Sequence, residues 1–175
     1  MTMVSTAKVL HNALVAAGVS HVVGLPDNTS AAFFERLAGE GAPSLLRVTR
    51  EGEAVALASG LWLGGASPVV LIQNTGLLES GDSLRGTAVR MGVPLVCLVT
   101  YRGYGKLEGP GSEPDAMTRA DADSVAVVTE PTLRAWRLPY VFYRGDHDVA
   151  TLQSAFLMAA KESRPVVVLI PNLLE

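Results

Sequence analysis

Residues 45–60 read LLRVTREGEAVALASG and place a carboxylate where an apolar strand passes into an apolar helix. The run 45–48 predicts the end of a mostly buried strand, Thr49 is a candidate helix cap, and apolar residues then recur at helical spacing. In α/β folds, ligands bind at the carboxyl ends of such strands. Glu51 is therefore a candidate functional residue, although an acid in the first turn of a helix also stabilises the helix dipole without any further role.

The same alternation of strand and helix runs along the chain and predicts one domain over residues 1–175. Short apolar runs without polar alternation predict buried strands at about 21–26, 45–49, 68–73, 94–101, 138–143 and 165–170. Helical spacing predicts helices at about 6–17, 29–37, 51–62, 78–91 and 149–162, and those between strands supply the crossovers. The predicted fold class is α/β, a three-layer, doubly wound and mainly parallel six-stranded sheet.

A long polar stretch separates the fourth and fifth predicted strands. Its part from Gly103 to Arg119 is rich in glycine, proline and charge. Such a composition is typical of a loop that covers a ligand, and equally of a solvated excursion with no such role.

Composition excludes several classes of partner. The chain has a net charge of −3 with 18% charged residues, so it offers no basic surface for nucleic acid. No apolar run approaches the roughly 20 residues that span a bilayer, and the first residues lack the pattern of a secretion signal. We therefore expect a cytoplasmic protein without membrane or nucleic-acid partners.

The cysteine and the histidines do not form a predicted metal site. The single cysteine, Cys97, lies in an apolar run, which favours a buried thiol over a nucleophile. His11, His21 and His147 do not have the spacing of metal ligands, so we expect them at the surface or at strand edges.

Four predicted strand ends carry polar groups directly after the apolar run. They are Gly24-Leu25-Pro26-Asp27-Asn28, Thr49-Arg50-Glu51, Ile72-Gln73-Asn74-Thr75-Gly76 and Thr100-Tyr101-Arg102-Gly103. Turn formation alone explains each motif by itself. Because the carboxyl ends of parallel strands meet at one edge of a sheet, the four together predict a binding site there.

These motifs resemble the pyrimidine-binding (PYR) domain of thiamine-diphosphate enzymes, in particular the alpha subunit of sulfopyruvate decarboxylase and the matching half of phosphonopyruvate decarboxylase. In that family the strand ends read Gly-x-Pro-Asp/Cys, Arg-Glu, Gln-Asn-Ser/Thr-Gly, and an aromatic residue or His before Arg-Gly. The Arg-Glu pair opens a helix with a glycine nine residues beyond the acid. Gly60 lies nine residues beyond Glu51, so the resemblance identifies Glu51, rather than Glu53, with the cofactor-activating glutamate.

The resemblance implies thiamine diphosphate as cofactor, a 2-oxo acid as substrate and decarboxylation as reaction. The implied catalytic residue is Glu51, hydrogen-bonded to N1′ of the cofactor's aminopyrimidine, a charge-assisted bond that a dry cleft strengthens. The implied cofactor-binding residues are Pro26, Glu51, Gln73, Asn74 and Thr75. The implied substrate-binding residues are Asp27, Asn28, Tyr101 and Arg102.

A partner is implied as well. Family enzymes hold the diphosphate through Mg²⁺ on a second domain that carries Gly-Asp-Gly and a downstream Asn. The pairs Gly81-Asp82 and Gly145-Asp146 in this chain are not followed by the required glycine. The resemblance therefore implies a beta subunit that carries the pyrophosphate-binding domain, holds Mg²⁺ and completes a hetero-oligomer.

The substrate is less defined. Arg102 and Lys106 suit the anionic tail of a 2-oxo acid, although pairing of Arg102 with Glu108 or Glu113 is an alternative. The sulfopyruvate enzymes tend to place His where this chain has Tyr101, and the phosphonopyruvate enzymes carry Glu-Pro-Gln-His where it has EPDA at 113–116. A carboligase half and a non-catalytic α/β binding module remain alternative functions.

Overall fold

The computed structural model describes residues 6–107, 117, 118, 121, 123–145, 148–172 and 174. Most of the predicted loop 103–119 lies outside the described residues, as do the motif at 113–116 and His147.

Helices and strands alternate along the described chain. The strands are β1 (His21–Gly24), β2 (Ser44–Arg47), β3 (Pro68–Gln73), β4 (Val96–Thr100), β5 (Tyr140–Phe142) and β6 (Val166–Ile170). The helices are α1 (Thr6–Ala16), α2 (Ala31–Glu40), α3 (Glu51–Leu63), α4 (Asn74–Glu79), α5 (Gly81–Ser83), α6 (Ser124–Ala135) and α7 (Val149–Glu162). A π-helical turn covers Leu84–Val89, and a 3₁₀ turn covers Tyr104–Lys106.

The six strands form one sheet in the order β2-β1-β3-β4-β6-β5, and all their pairings are parallel. The α/β, doubly wound prediction is confirmed. From β2 the chain crosses over β1 to reach β3, so the winding direction reverses between β1 and β3. In open α/β sheets the crevice outside the carboxyl ends of such a strand pair binds ligands.

Helices cover both faces of the sheet. Residues of α1, α2 and α7 share one buried apolar cluster with the sheet. Residues of α3, α4, the π-helical turn and α6 share the other cluster. The strands β4 and β6 are buried along their whole length, which explains their continuous apolar sequence.

The strand β2 is less buried than the sequence predicts. It lies at the edge of the sheet, and its residues are half-buried or exposed. The prediction that Thr49 caps α3 is also wrong, because Arg50 occupies the capping position of this helix. Thr49 instead donates its backbone N–H (3.0 Å) and its hydroxyl (3.2 Å) to the carboxylate of Glu53.

The region 78–91 is not the single helix that its apolar spacing predicts. α4 begins at Asn74, directly after β3, and gives way to α5 and the π-helical turn. The break lies at Ser80 and Gly81, two residues that favour a helix less than alanine does. The Ser80 hydroxyl bonds back to the Leu77 carbonyl (2.9 Å), and Gly81 lies against the Trp136 ring with no room for a side chain.

The stretch predicted as polar between β4 and β5 contains α6. Pro131 lies inside this helix, and Thr129 and Glu130 precede it, so the sequence signal for a helix is weak. Asp123 caps the helix, since its carboxylate accepts the backbone N–H groups of Val125 (3.1 Å) and Ala126 (3.4 Å). Tertiary packing and this cap outweigh the low helix propensity.

His11 is buried, contrary to the prediction of a surface or strand-edge role. Its Nε2–H donates to the Ala42 carbonyl (2.7 Å), which ties α1 to the segment before β2. Cys97 is buried as predicted, and burial raises the pKa of its thiol to about 12. No helix in the described residues is both long and apolar enough to cross a membrane.

Candidate active site

Glu51 is the first residue of α3 and lies half-buried where β2 passes into that helix. Its side chain packs against Gly76 of α4, where a Cβ atom would overlap Cγ, Cδ and Oε1 of Glu51. No hydrogen bond or ion pair engages the Glu51 carboxylate in the part of the chain that the structure describes. The carboxylate is thus positioned by packing and remains available to a ligand.

The turn that carries Glu51 is held by a second acid, Glu79. Glu79 Oε2 accepts the backbone N–H of Gly52 (2.7 Å), and Oε1 accepts Nε (3.1 Å) and Nη2 (2.6 Å) of Arg50. The Gly52 N–H and the Arg50 guanidinium lower the pKa of Glu79. The Thr49 backbone N–H likewise lowers the pKa of Glu53, which points away as an exposed cap.

Asp27 links the ends of β1, β3 and β4. Its Oδ2 accepts the Gln73 amide (2.8 Å) and the Thr100 hydroxyl (2.8 Å). Its Oδ1 accepts the backbone N–H (2.9 Å) and the hydroxyl of Ser30. Four donors fill the usual acceptor positions of a carboxylate, so the geometry favours Asp27 as an anchor of this edge.

The side chain of Asn74 is fully buried. Its amide donates to the Arg102 carbonyl (3.1 Å) and to the Thr129 hydroxyl (3.2 Å), while Oδ1 has no hydrogen-bond partner among the described residues. Asn74 therefore joins the start of α4 to α6 and to the loop after β4.

The fourth motif divides between the interior and the surface. Tyr101 is buried beside Phe142, and its hydroxyl donates to the Ala126 carbonyl (2.9 Å), which favours a packing role. Burial, followed by the charge of Glu130, raises the pKa of Tyr101. Arg102 is exposed and donates Nε to Asp123 (3.1 Å). Burial opposes ionisation of Asp123, but hydrogen bonds from Arg102 and α6 lower its pKa overall.

The remaining predicted residues lie at the surface of the same edge. Pro26, Asn28 and Thr75 are exposed, and the Thr75 hydroxyl donates to Gln73 Oε1 (3.1 Å). The structure thus joins Asp27, Gln73 and Thr75 in one hydrogen-bonded chain. Asn74 and Arg102 belong to a second group.

Three residues that hold this region together lie outside the four predicted motifs: Ser30, Glu79 and Asp123. The pattern Asp27-x-x-Ser30 resembles a reciprocal helix cap and is a usable local signal for Ser30. Glu79 acts on Gly52, which lies 27 residues away, so no local pattern identifies it. Thr100 begins the fourth motif, but its bond to Asp27, 73 residues away, has no local signal either. The described residues contain no group of three metal-ligating side chains.

Comparison with known proteins identifies the family. The sequence profile described as "Thiamine pyrophosphate enzyme, N-terminal TPP binding domain" matches residues 4–126. The chain belongs to this family. The resemblance of the four strand-end motifs to PYR domains is thereby confirmed.

Relatives of this family member include two decarboxylases. A phosphonopyruvate decarboxylase of Streptomyces viridochromogenes is 36% identical over 90 residues, which cover 51% of this chain and 23% of that protein. A sulfopyruvate decarboxylase subunit alpha of Methanothermobacter thermautotrophicus is 26% identical over 129 residues, which cover 73% of this chain and 76% of that subunit.

A solved structure supports the fold of this family member. The benzoylformate decarboxylase of Polynucleobacter necessarius has a TM-score of 0.68 at 19% identity. The match covers 97% of this chain but only 30% of that one. The chain therefore corresponds to about a third of that neighbour, and the likeness concerns the fold alone.

Proposed function

We propose that this chain is the alpha subunit, a single PYR domain, of a two-subunit thiamine-diphosphate-dependent 2-oxo acid decarboxylase. The observation that carries the proposal is Glu51, a half-buried carboxylate without a partner in the described chain, packed on Gly76 at the ligand-binding edge of the sheet. The family match and the two relatives named as decarboxylases support the reaction class.

The residues at this edge fit the pyrimidine of the cofactor. An aminopyrimidine needs a carboxyl group at its ring nitrogen, and Glu51 leaves its carboxyl group available. Pro26, Gln73 and Thr75 are accessible beside the same strand ends, while Asn74 holds the start of α4 in place. Pro26, Glu51, Gln73 and Thr75 would therefore contact the cofactor, and the buried Asn74 would support them from within the fold.

Thiamine diphosphate, when bound, supplies the electron sink that decarboxylation requires. The Glu51 carboxyl group would form a hydrogen bond with N1′ of the pyrimidine, and partial burial would strengthen that bond. Asp27 fixes Gln73 and the ends of three strands, so the edge is preorganised.

Arg102 is the proposed contact for an anionic substrate tail, together with the exposed Asn28. Asp123 engages Arg102 at Nε, and no other ion pair to Arg102 occurs within the described chain. The terminal nitrogens of a guanidinium suit a sulfonate, phosphonate or carboxylate. Tyr101 is buried directly before Arg102, and the hydrogen bonds of Asp27 fix the residue that precedes Asn28.

The partner is the proposed beta subunit, which carries the pyrophosphate-binding domain and Mg²⁺. Support comes from the apolar outer face of α3, where Ala56, Leu57, Gly60 and Leu63 are exposed. A helix that is apolar on its outer face as well as its inner one is usually covered. The relative named as subunit alpha also matches this chain over most of its length.

The test compares Glu51→Gln with Glu53→Gln in the complex with the beta subunit, thiamine diphosphate and Mg²⁺. We expect Glu51→Gln to reduce kcat for sulfopyruvate or phosphonopyruvate by about 10²–10³-fold, because a preorganised contact is lost. Glu53→Gln is the matched control in the same helical turn and should retain activity within about twofold. Equal losses in the two variants would contradict the role of Glu51.

A further inference from the structure

Glu79 contacts the residues on both sides of Glu51. The residue before it, Arg50, donates two side-chain N–H groups to Glu79 Oε1, and the residue after it, Gly52, donates its backbone N–H to Oε2. The Glu79 carboxylate therefore restrains both neighbours of Glu51, the side chain of Arg50 and the backbone of Gly52.

The charge of Glu79 suits this place. Gly52 lies in the first turn of α3, where backbone N–H groups lack intrahelical partners and the helix dipole favours an anion. The Gly52 N–H is the largest cause that lowers the pKa of Glu79, followed by Arg50. The Arg50 side chain is 75% exposed, so the bond to the Gly52 backbone is the more important restraint.

Glu79 also connects α3 to the residue on which Glu51 rests. Gly76 lies three residues before Glu79 on α4, and residues at this spacing share one face of a helix. The Glu51 side chain packs on Gly76, while the Glu79 carboxylate is also the nearest neighbour, with Ser83, of Gly52. The same short helix thus sets both the side-chain contact of Glu51 and the backbone turn that carries it.

We propose that Glu79 is a positioning residue for Glu51, which holds the first turn of α3 so that Glu51 meets the pyrimidine ring nitrogen. This inference rests on the proposed function of Glu51. In this role Glu79 acts through Glu51.

The decisive experiment is a double-mutant cycle in the complex with the beta subunit, thiamine diphosphate and Mg²⁺. Glu79→Gln should lower kcat by about tenfold and leave KM for the 2-oxo acid within about twofold, because the reacting geometry and not substrate binding is disturbed. In the Glu51→Gln background the same change should have almost no further effect, since it acts through the lost carboxylate. Glu53 accepts hydrogen bonds from Thr49 at the same helical turn, so Glu53→Gln controls for a loss of helix stability.

A second readout needs neither cofactor nor turnover. In the isolated full chain, the Gly52 amide resonance should shift with pH as Glu79 titrates, with a midpoint below the usual range of a glutamate. Glu79→Gln should abolish that titration, and Glu53→Gln should leave it in place. If Glu79→Gln is too unstable to assay, Glu79→Asp takes its place in the cycle. In the Glu51→Gln background, Glu79→Asp should then cause no further loss of kcat.

The outcomes separate the two proposals. An inactive wild-type complex, or full activity of Glu51→Gln, would overturn the proposed function, whatever the Gly52 resonance does. An impaired Glu51→Gln with an unchanged Glu79→Gln would overturn only the positioning role. A Glu79→Gln loss of equal size in both backgrounds would do the same, because it would show that Glu79 acts independently of Glu51.

Discussion

At the scale of single residues, the candidate site depends on the pairing of an acid with a glycine. Glu51 occupies the space that any side chain at position 76 would fill. Gly76 is buried and helical, so its importance lies in the missing Cβ and not in an unusual backbone conformation. The position of the Glu51 carboxylate is therefore sensitive to one methyl group.

Gly76→Ala should displace Glu51 while the fold is retained. The new methyl group meets a flexible side chain, which can rotate away, and alanine favours a helix more than glycine does. We expect a loss of kcat of about 10²–10³-fold in the complex, similar to that of Glu51→Gln. Gly39→Ala in α2, where a Cβ would meet no neighbour, is the control and should retain activity. Full activity of Gly76→Ala would show that the Glu51 side chain is not held by this contact.

At the scale of elements, α6 depends on its cap. Asp123 accepts two backbone N–H groups at the start of α6 and the Nε of Arg102. Gly103 lies so close to Asp123 that a Cβ at this position would overlap it. The cap therefore also fixes the loop that follows β4, which carries the proposed substrate contact.

Asp123→Ala should destabilise the chain by about 1 kcal/mol at pH 7, the usual contribution of an N-cap. Because the folded-state pKa of Asp123 is lowered, its charge stabilises the fold above the unfolded pKa of about 4. This contribution is lost as the pH falls through the lower pKa of the folded state. The difference in unfolding free energy between wild type and variant should therefore narrow below about pH 4.

Urea unfolding at several pH values measures this gap. Asp82→Asn is the control, since Asp82 forms only an exposed pair with Arg85 in the described chain and should change stability little. A gap that is absent at pH 7, or that widens in acid, would contradict the capping role.

At the scale of the whole molecule, the chain spans only part of the length of two enzymes to which it is similar. It matches 23% of the phosphonopyruvate decarboxylase and 30% of the benzoylformate decarboxylase to which it is similar. The apolar outer face of α3 begins one turn after Glu51, so a partner on that face would also border the candidate site.

The isolated chain should bind thiamine diphosphate weakly and show no decarboxylation until the beta subunit is added. The reason is the missing Gly-Asp-Gly motif, with no group of three metal ligands in the described residues. Calorimetry with and without Mg²⁺ measures binding, and sedimentation of the mixed chains measures assembly. Tight, Mg²⁺-dependent binding to the isolated chain, or a mixture that sediments as monomers, would contradict the partner requirement.

The α/β class, the succession of strands along the chain and the family can all be predicted from the amino-acid sequence. These follow from local patterns: continuous apolar runs give buried parallel strands, and helical spacing gives the crossovers. The clustering of the strand-end motifs can be predicted as well, because parallel strands bring their carboxyl ends to one edge of the sheet. The helix α6 was missed because Pro131 and its polar neighbours weaken the local pattern.

The contacts of each motif side chain, in contrast, depend on the three-dimensional packing of distant segments. Asp27 finds its donors Gln73 and Thr100 at 46 and 73 residues along the chain, and Asn74 is buried against α6 at a distance of 55 residues. Glu79 reaches Gly52 across 27 residues. The orientation of a side chain depends on the partners that packing brings to it, and those partners cannot be identified from the neighbouring sequence. For this reason the sequence indicated Glu51, but only the fold indicated which residues hold it.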